Sequence, residues 1–434
     1  MKRNERYEGC GNFNLRDVLL KGRKLTLVDR ANYFSRFLGV ETATHHSLYM
    51  RPLASASDRE VEIIDPVTGK PKKMLMFGSN NYLGLANHPC VREQVFKAIN
   101  KYGVGIGGPP LLNGYTNLHC ELEERLSTFK HAEDTLIFST GYGANVGLLT
   151  GLVNGSDVVL YDEYSHASFC DGLAMGGKNS LRFHHNDLDE LAVLLDEHPA
   201  SSAGDTFVGV EGVYSMDGDL TPLDKIVPLC KKHGAILIVD DAHGTGVMGK
   251  SGRGTAEHFG VEEMVDVTMG TFSKTFAVVG GFVSASKPFI DYLRFFARSY
   301  MFSASLPPVI IATVLAGLDV IEREPQRLEQ LRDNVHFAAE GLQKLGLIVH
   351  PQAAIIALRV PRTMNIRQAA YRFHEAGIFM NSIEYPAVPI NQQRFRISIM
   401  ATHTREDINR LLECVEDVWS RFSRQEKMVR SQAA

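Results

Sequence analysis

Tryptophan occurs once in 434 residues, and the six cysteines (Cys10, Cys90, Cys120, Cys170, Cys230, Cys414) stand far apart without a CxxC pair. Scattered thiols exclude a disulfide-stapled secreted scaffold, lack the spacing a zinc site needs, and suit a reducing cytoplasm. Long apolar runs are missing as well. The most apolar stretch, 306–318, contains Pro307 and Pro308, stops at Asp319 and is too short to span a bilayer. The N-terminus, Met1-Lys2-Arg3-Asn4-Glu5-Arg6-Tyr7-Glu8, is charged with no apolar core behind it, which speaks against a signal peptide and leaves membrane association at most peripheral. Neither sign of charge dominates: 46 Lys and Arg against 50 Asp and Glu give −4, so no basic face for nucleic acid is implied. The 44% hydrophobic and 22% charged residues exclude a disordered chain. The 38 glycines suit an enzyme rich in tight turns better than a β-sandwich.

Along the chain, residues 1–75 read as an N-terminal extension, with 65–71 as a hairpin turn. From 76 to about 320 one unit recurs: a short apolar run, a turn, then an amphipathic stretch. The apolar runs are 135–139, 157–161, 181–184, 207–211, 235–240, 265–269 and 281–285. Strands alternating with helices predict an α/β fold, a mainly parallel seven-stranded sheet covered on both faces, with ligands at the carboxyl ends of the strands. From 321 to 434 the texture becomes that of a smaller C-terminal α+β domain: a charged helix, β-like runs at 353–360 and 394–400, and a last helix from Thr404. Its polar end, 424–434, is expected to fray.

Four features fall just after these runs. Asp240 ends Ile236-Leu237-Ile238-Val239-Asp240-Asp241-Ala242-His243-Gly244, and a carboxylate closing a buried strand needs a cation or donors. His243, three residues on, can reach the same place. Lys274, in Thr271-Phe272-Ser273-Lys274-Thr275-Phe276, sits among apolar residues that can lower its pKa and make it a nucleophile towards carbonyls. Thr140-Gly141-Tyr142-Gly143-Ala144-Asn145 opens a helix whose free N–H groups can hold a phosphate, without the GxGxxG or Walker pattern. His166, in Ser165-His166-Ala167-Ser168, can stack on a flat ring. Each has a plainer reading alone: a cap, a surface lysine, a packed turn, a structural histidine. Together a phosphate turn, a ring stacker, a carboxylate and a lysine, on successive strands, describe a pyridoxal-phosphate pocket.

With these motifs, and with Ser79-Asn80-Asn81-Tyr82-Leu83-Gly84-Leu85, His185-Asn186-Asp187, Glu211-Gly212-Val213-Tyr214-Ser215-Met216-Asp217-Gly218-Asp219 and Phe302-Ser303-Ala304-Ser305-Leu306-Pro307-Pro308, the chain resembles the α-oxoamine synthases of the fold-type I pyridoxal-phosphate transferases, from about 77 to 412. The resemblance implies that Lys274 holds pyridoxal 5'-phosphate and later moves a proton, Asp240 pairs with the ring nitrogen, His243 and Ser215 approach the phenolic oxygen, and His166 stacks on the ring. It implies that Gly141, Tyr142 and Thr271 hold the phosphate, that Ser303 or Ser305 reaches the phosphate of the neighbouring subunit in a homodimer, and that Arg396 grips the amino-acid carboxylate beside Asn81. The implied reaction condenses an amino acid with an acyl thioester, carried by coenzyme A or acyl carrier protein, and loses CO2 to leave an α-amino ketone. No metal enters it. Two departures stand out: Gly107-Gly108-Pro109-Pro110-Leu111-Leu112-Asn113-Gly114 lacks the arginine several relatives carry there, and Ala387 replaces a hydroxyl residue. The apolar lip at 109–112 suggests a medium or long acyl chain, serine palmitoyltransferase-like. The competing readings are another α-oxoamine synthase substrate pair of the 8-amino-7-oxononanoate or 2-amino-3-ketobutyrate type, an aminotransferase or aldolase on the same fold, and a non-catalytic scaffold, against which Lys274 speaks.

Overall fold

The computed structural model describes residues 15–44, 48–177, 179–201 and 203–433. The N-terminal residues 1–14, with Cys10 and the segment judged for a signal peptide, lie outside them. Thirteen strands are numbered in chain order. The first two, β1 (Glu60–Ile64) and β2 (Pro71–Met76), form an antiparallel hairpin in which Ile64 faces Pro71. Its turn follows from Asp65, whose carboxylate accepts from Val67 N and Thr68 Oγ1, and from Gly69 at a φ of 68°. The hairpin extends through β2 onto β11 (Ile378–Phe379), so these N-terminal strands share a sheet with the C-terminal part.

The central sheet contains β3 (Asp134–Phe138), β4 (Val158–Asp162), β5 (Asn179–Phe183), β6 (Thr206–Glu211), β7 (Ile236–Asp240), β8 (Val267–Thr271) and β9 (Gly281–Ala285), in the order β3-β9-β8-β7-β6-β4-β5. Only β9 runs against its neighbours. All seven apolar runs seen in the sequence are strands. The largest shift is at β8, two residues later than the run, because Asp266 is used in the preceding turn, accepting from Leu237 N and Lys231 Nζ. Both faces are buried, as continuous apolar strands require. Val159, Phe207 and Ile238 pack into one core, while their neighbours Leu160, Val208 and Leu237 pack into the other. At Gly209 any Cβ would lie 2.2 Å from the Phe169 ring, so glycine lets the helix Ala167–Met175 settle on the sheet.

The helix Pro308–Arg323 leads into Gln326–Lys344 and then to β10 (Ile355–Arg359), β12 (Asn381–Ile383) and β13 (Arg394–Ser398), an antiparallel sheet in the order β10-β13-β12. The helices Ile366–Glu375 and Arg405–Ala433 complete this part. The polar end expected to fray is helical through 433, consistent with its run of Glu, Gln, Lys, Met and Arg, all good helix formers. Among the described residues no helix is long and apolar enough to cross a membrane.

Candidate active site

Five segments bring their carboxyl ends to one pocket: β3 before Thr140, β4 before His166, β6 at Glu211, β7 at Asp240 and β8 at Thr271. The adjacent aspartates at the end of β7 have separate tasks. Asp241 turns inward to Lys130 (3.0 Å), Thr255 Oγ1 (2.7 Å) and Thr255 N (3.1 Å), and pins the following loop. Asp240 turns to the pocket, where Asn145 Nδ2 (2.7 Å) and Ala242 N (3.1 Å) donate to its carboxylate. Asn145 Nδ2 also donates to Ser168 Oγ (2.9 Å), and Ser168 Oγ lies 2.7 Å from His166 Nδ1. One chain of hydrogen bonds thus fixes His166 relative to Asp240. His166 caps the helix Ala167–Met175 with its ring exposed, free to cover a flat ligand.

Lys274 lies in a tight loop after β8, held by Ala277 N to Lys274 O, Val278 N to Phe272 O and Thr275 Oγ1 to Thr245 O. Its amine makes no hydrogen bond or ion pair with any described residue. Burial lowers its pKa against the opposing pull of Asp240 and Glu211. A free, partly desolvated amine is what reaction with an aldehyde needs.

Above it, Tyr82 Oη and His243 Nδ1 share a 2.8 Å hydrogen bond. Burial, reinforced by Lys274 and Arg396, holds the His243 pKa well below its ordinary value, so the imidazole is neutral at pH 7. Arg396 on β13 donates to Ser215 O (2.6 Å), Asn80 Oδ1 (2.9 Å), Ser398 Oγ (3.2 Å) and Tyr82 Oη (3.3 Å). Asn80 is thus the residue on Arg396. Asn81 instead accepts from Ala86 N (3.2 Å) within its own turn.

The phosphate end is a cradle. Thr140 Oγ1 accepts from Gly143 N (2.8 Å) and opens the helix Gly141–Leu152. A Cβ on Gly141 would lie 2.6 Å from Thr271 Oγ1, and one on Gly281 would lie 2.6 Å from Gly141 Cα. The start of this helix therefore packs directly against Thr271, whose hydroxyl is 2.9 Å from Ser273 Oγ. The Tyr142 phenol is bonded to Asp171, leaving its backbone for the cradle. Amine, carboxylate, ring stacker and anion cradle fit pyridoxal phosphate as a set. Ser303 and Ser305 lie outside this pocket, and Ser305 Oγ is buried without a hydrogen-bond partner. With Gly107–Pro109, Leu111, Leu112 and Met301–Ala304, Ser303 lines a cavity of about 590 Å³ that has no charged residue.

A second cluster supports the pocket from behind. His185 Nδ1 is 3.1 Å from Asp162 and Nε2 is 2.7 Å from Asp219, with the ring stacked on Tyr164 at 4.3 Å. Burial opposes its charge but the two carboxylates prevail, and its pKa rises to about 9. At the surface His184, Asp187 and Glu190 converge as a helix cap, with Asp187 accepting from Glu190 N and Glu190 reaching His184. Sequence reasoning gave no role to Asn80, Tyr82, Asn145, Ser168 and Glu211, although each lay inside a segment already singled out. What was missing is pairing between segments distant in sequence.

Residues 72–415 match the family model for aminotransferases of class I and II. A serine palmitoyltransferase of Bacteriovorax stolpii is 43% identical over 348 residues, 80% of this chain and 83% of that one. An 8-amino-7-oxononanoate synthase of Geotalea daltonii is 37% identical over 350 residues, covering 80% and 89%. Among solved structures, a serine palmitoyltransferase from S. paucimobilis with bound PLP and myriocin superposes with a TM-score of 0.85 at 31% identity, over 92% of this chain and all of the other.

Proposed function

We propose that this chain, which belongs to the aminotransferase class I and II family and within it to the α-oxoamine synthases, joins serine to a long-chain acyl thioester with loss of CO2. It is a pyridoxal-phosphate-dependent C-acyltransferase. The observation that carries the choice of acyl chain is the uncharged cavity beside 109–112, an apolar wall where a hydrocarbon gains more than a carboxylate. Bound pyridoxal phosphate supplies the electron sink that makes the amino acid's α-proton acidic. Lys274 Nζ, desolvated and free, would hold the cofactor and would be placed to accept that proton. Asp240, held by its two donors, would face the ring nitrogen, and His166 would cover the ring. Neutral His243, anchored by Tyr82, and Ser215 would serve the phenolic oxygen. The N–H groups of Gly141 and Tyr142, with Thr271, hold the phosphate. Arg396, preset by Asn80 and Ser215 O, would take the substrate carboxylate.

The working division is 1–75, 76–320 and 321–434. A homodimer is supported by the exposure of Leu112 and Phe302 around a cavity lined by Ser303, whose hydroxyl would reach the neighbouring subunit's phosphate. We assign the protein to the cytoplasm, with membrane association at most peripheral. Mass spectrometry of products from a matrix of amino acids and acyl thioesters tests the reading. Serine with a long-chain donor should dominate, with CO2 released only when thioester is present. A product from another amino acid or from an acetyl or succinyl donor would replace it, and CO2-independent amino transfer would point to an aminotransferase.

A further inference from the structure

Strand β6 ends on Glu211, whose register partner on β7 is Asp240. Two buried carboxyl groups therefore close the same end of the pocket. Asp240 is served by Asn145 and Ala242. Glu211 is not: its Oε1 is buried without a partner, and only the backbone N–H groups of His166 and Ser215 lie against the carboxyl. An ionised group left in that state is costly, and a second negative charge beside Asp240 adds to the cost. The titratable groups facing Glu211 are Asp240 on β7, Lys274 after β8, Tyr214 after its own strand and Cys170 on the helix Ala167–Met175. Burial and then Asp240 push the Glu211 carboxyl well above the usual carboxylate range, with Lys274 offsetting only part.

We propose that Glu211 is a cofactor-binding residue kept as the neutral acid, donating its O–H to bound pyridoxal phosphate so that Asp240 alone carries negative charge at the ring. The proposal rests on the cofactor assignment above. It divides the pair chemically: Asp240 accepts and Glu211 donates, and both buried groups acquire partners when the pocket is filled.

Glu211→Gln keeps volume and a donor, whereas Glu211→Leu keeps volume alone. Equilibrium dialysis of pyridoxal phosphate should give Gln within about twofold of wild type and Leu weaker by about tenfold or more, the scale of one lost buried hydrogen bond. Cofactor-free protein provides an independent reading. A carboxyl whose folded pKa is raised lends stability below its unfolded value that is lost as pH rises through the folded value. Thermal unfolding from pH 5 to 9 should therefore show wild type losing stability relative to Glu211→Gln. Parallel unfolding curves, Gln binding as weakly as Leu, or Leu binding as wild type would each overturn the proposal. Wild type that failed to bind cofactor at all would end the donor role together with the assignment beneath it, whereas the other outcomes leave that assignment standing.

Discussion

The cofactor cradle and the acyl mouth lie on the same chain and are built in opposite ways. In the cradle Asp240 and His243 stand at and just after the end of a buried parallel strand and Arg396 stands on β13, and each is oriented by a residue distant in sequence: Asp240 by Asn145 on the helix Gly141–Leu152, His243 by Tyr82 and Arg396 by Asn80 in the turn after β2. The mouth is formed by residues 107–112 and 301–304, with Leu112 81% and Phe302 71% exposed and no ionic partner among its lining. The cradle is over-determined, so a change there should alter the chemistry. The mouth is loosely determined, so a change there should alter only which donor is chosen. Chemistry held by a scaffold and specificity held by loops is the expected division.

The largest effect should come from Lys274→Ala. It removes the amine proposed to attach the cofactor and move the proton, and turnover should fall by about 10³-fold or more. Weak cofactor binding should survive through the phosphate cradle and Asp240. Absorbance and turnover of the purified variant check this, and wild-type turnover would remove Lys274 from the mechanism. Arg396→Lys should follow, at about ten- to a hundredfold in kcat/KM for the amino acid, because an ammonium cannot make the guanidinium's fork. Most of the loss should appear in KM. A variant with normal KM would mean that Arg396 merely locks Asn80 and Ser215.

The cradle was also the more legible region from sequence. Each strand of the central sheet was announced by an apolar run ending in turn chemistry, and the register of β6 and β7 places Glu211 beside Asp240 at the end where ligands were expected. What no linear reading gives is the partner across the sheet. Asp240 and Asp241 look alike on the page, yet one faces Asn145 and the other Lys130. Asn80 and Asn81 are likewise neighbours, and only the turn that sends Asn81 to Ala86 separates their tasks. The mouth offered composition without periodicity, so its apolar lip was visible and its pairing with Met301 and Phe302 was not.

His185 tests whether the cradle's rigidity is electrostatic. It ties Asp162 at the end of β4 to Asp219 beyond the loop that carries Ser215. Its pKa is raised from the usual 6.5 to about 9 by the two carboxylates, against burial. A histidine raised in the folded state lends stability that is fully present below pH 6.5 and lost as pH climbs through about 9. The shift corresponds to about 3 kcal/mol at most. His185→Asn should be less stable than wild type at pH 6, and the gap should narrow by pH 9.5 in thermal unfolding. A constant gap would make His185 a packing residue rather than a charged clamp.

The smallest effect belongs to the mouth. Each methylene moved from water to an apolar wall contributes about 0.8 kcal/mol, so kcat/KM at saturating amino acid should rise by about fourfold per carbon while the chain lies within the cavity. Leu112 lies away from the cofactor cradle, so Leu112→Ala should leave cofactor absorbance unchanged. It removes wall, and the rise per carbon should shrink for long donors while an acetyl donor is used as before. Leu112→Lys carries the argument further, because a cation at the lip should penalise a neutral hydrocarbon and favour a donor that ends in a carboxylate. If the wild-type profile is flat or peaks at two carbons, the acyl chain does not run along 109–112 and the specificity lies elsewhere. If Leu112→Ala also shifts the cofactor spectrum, the mouth and the cradle are one unit, and the contrast between them fails.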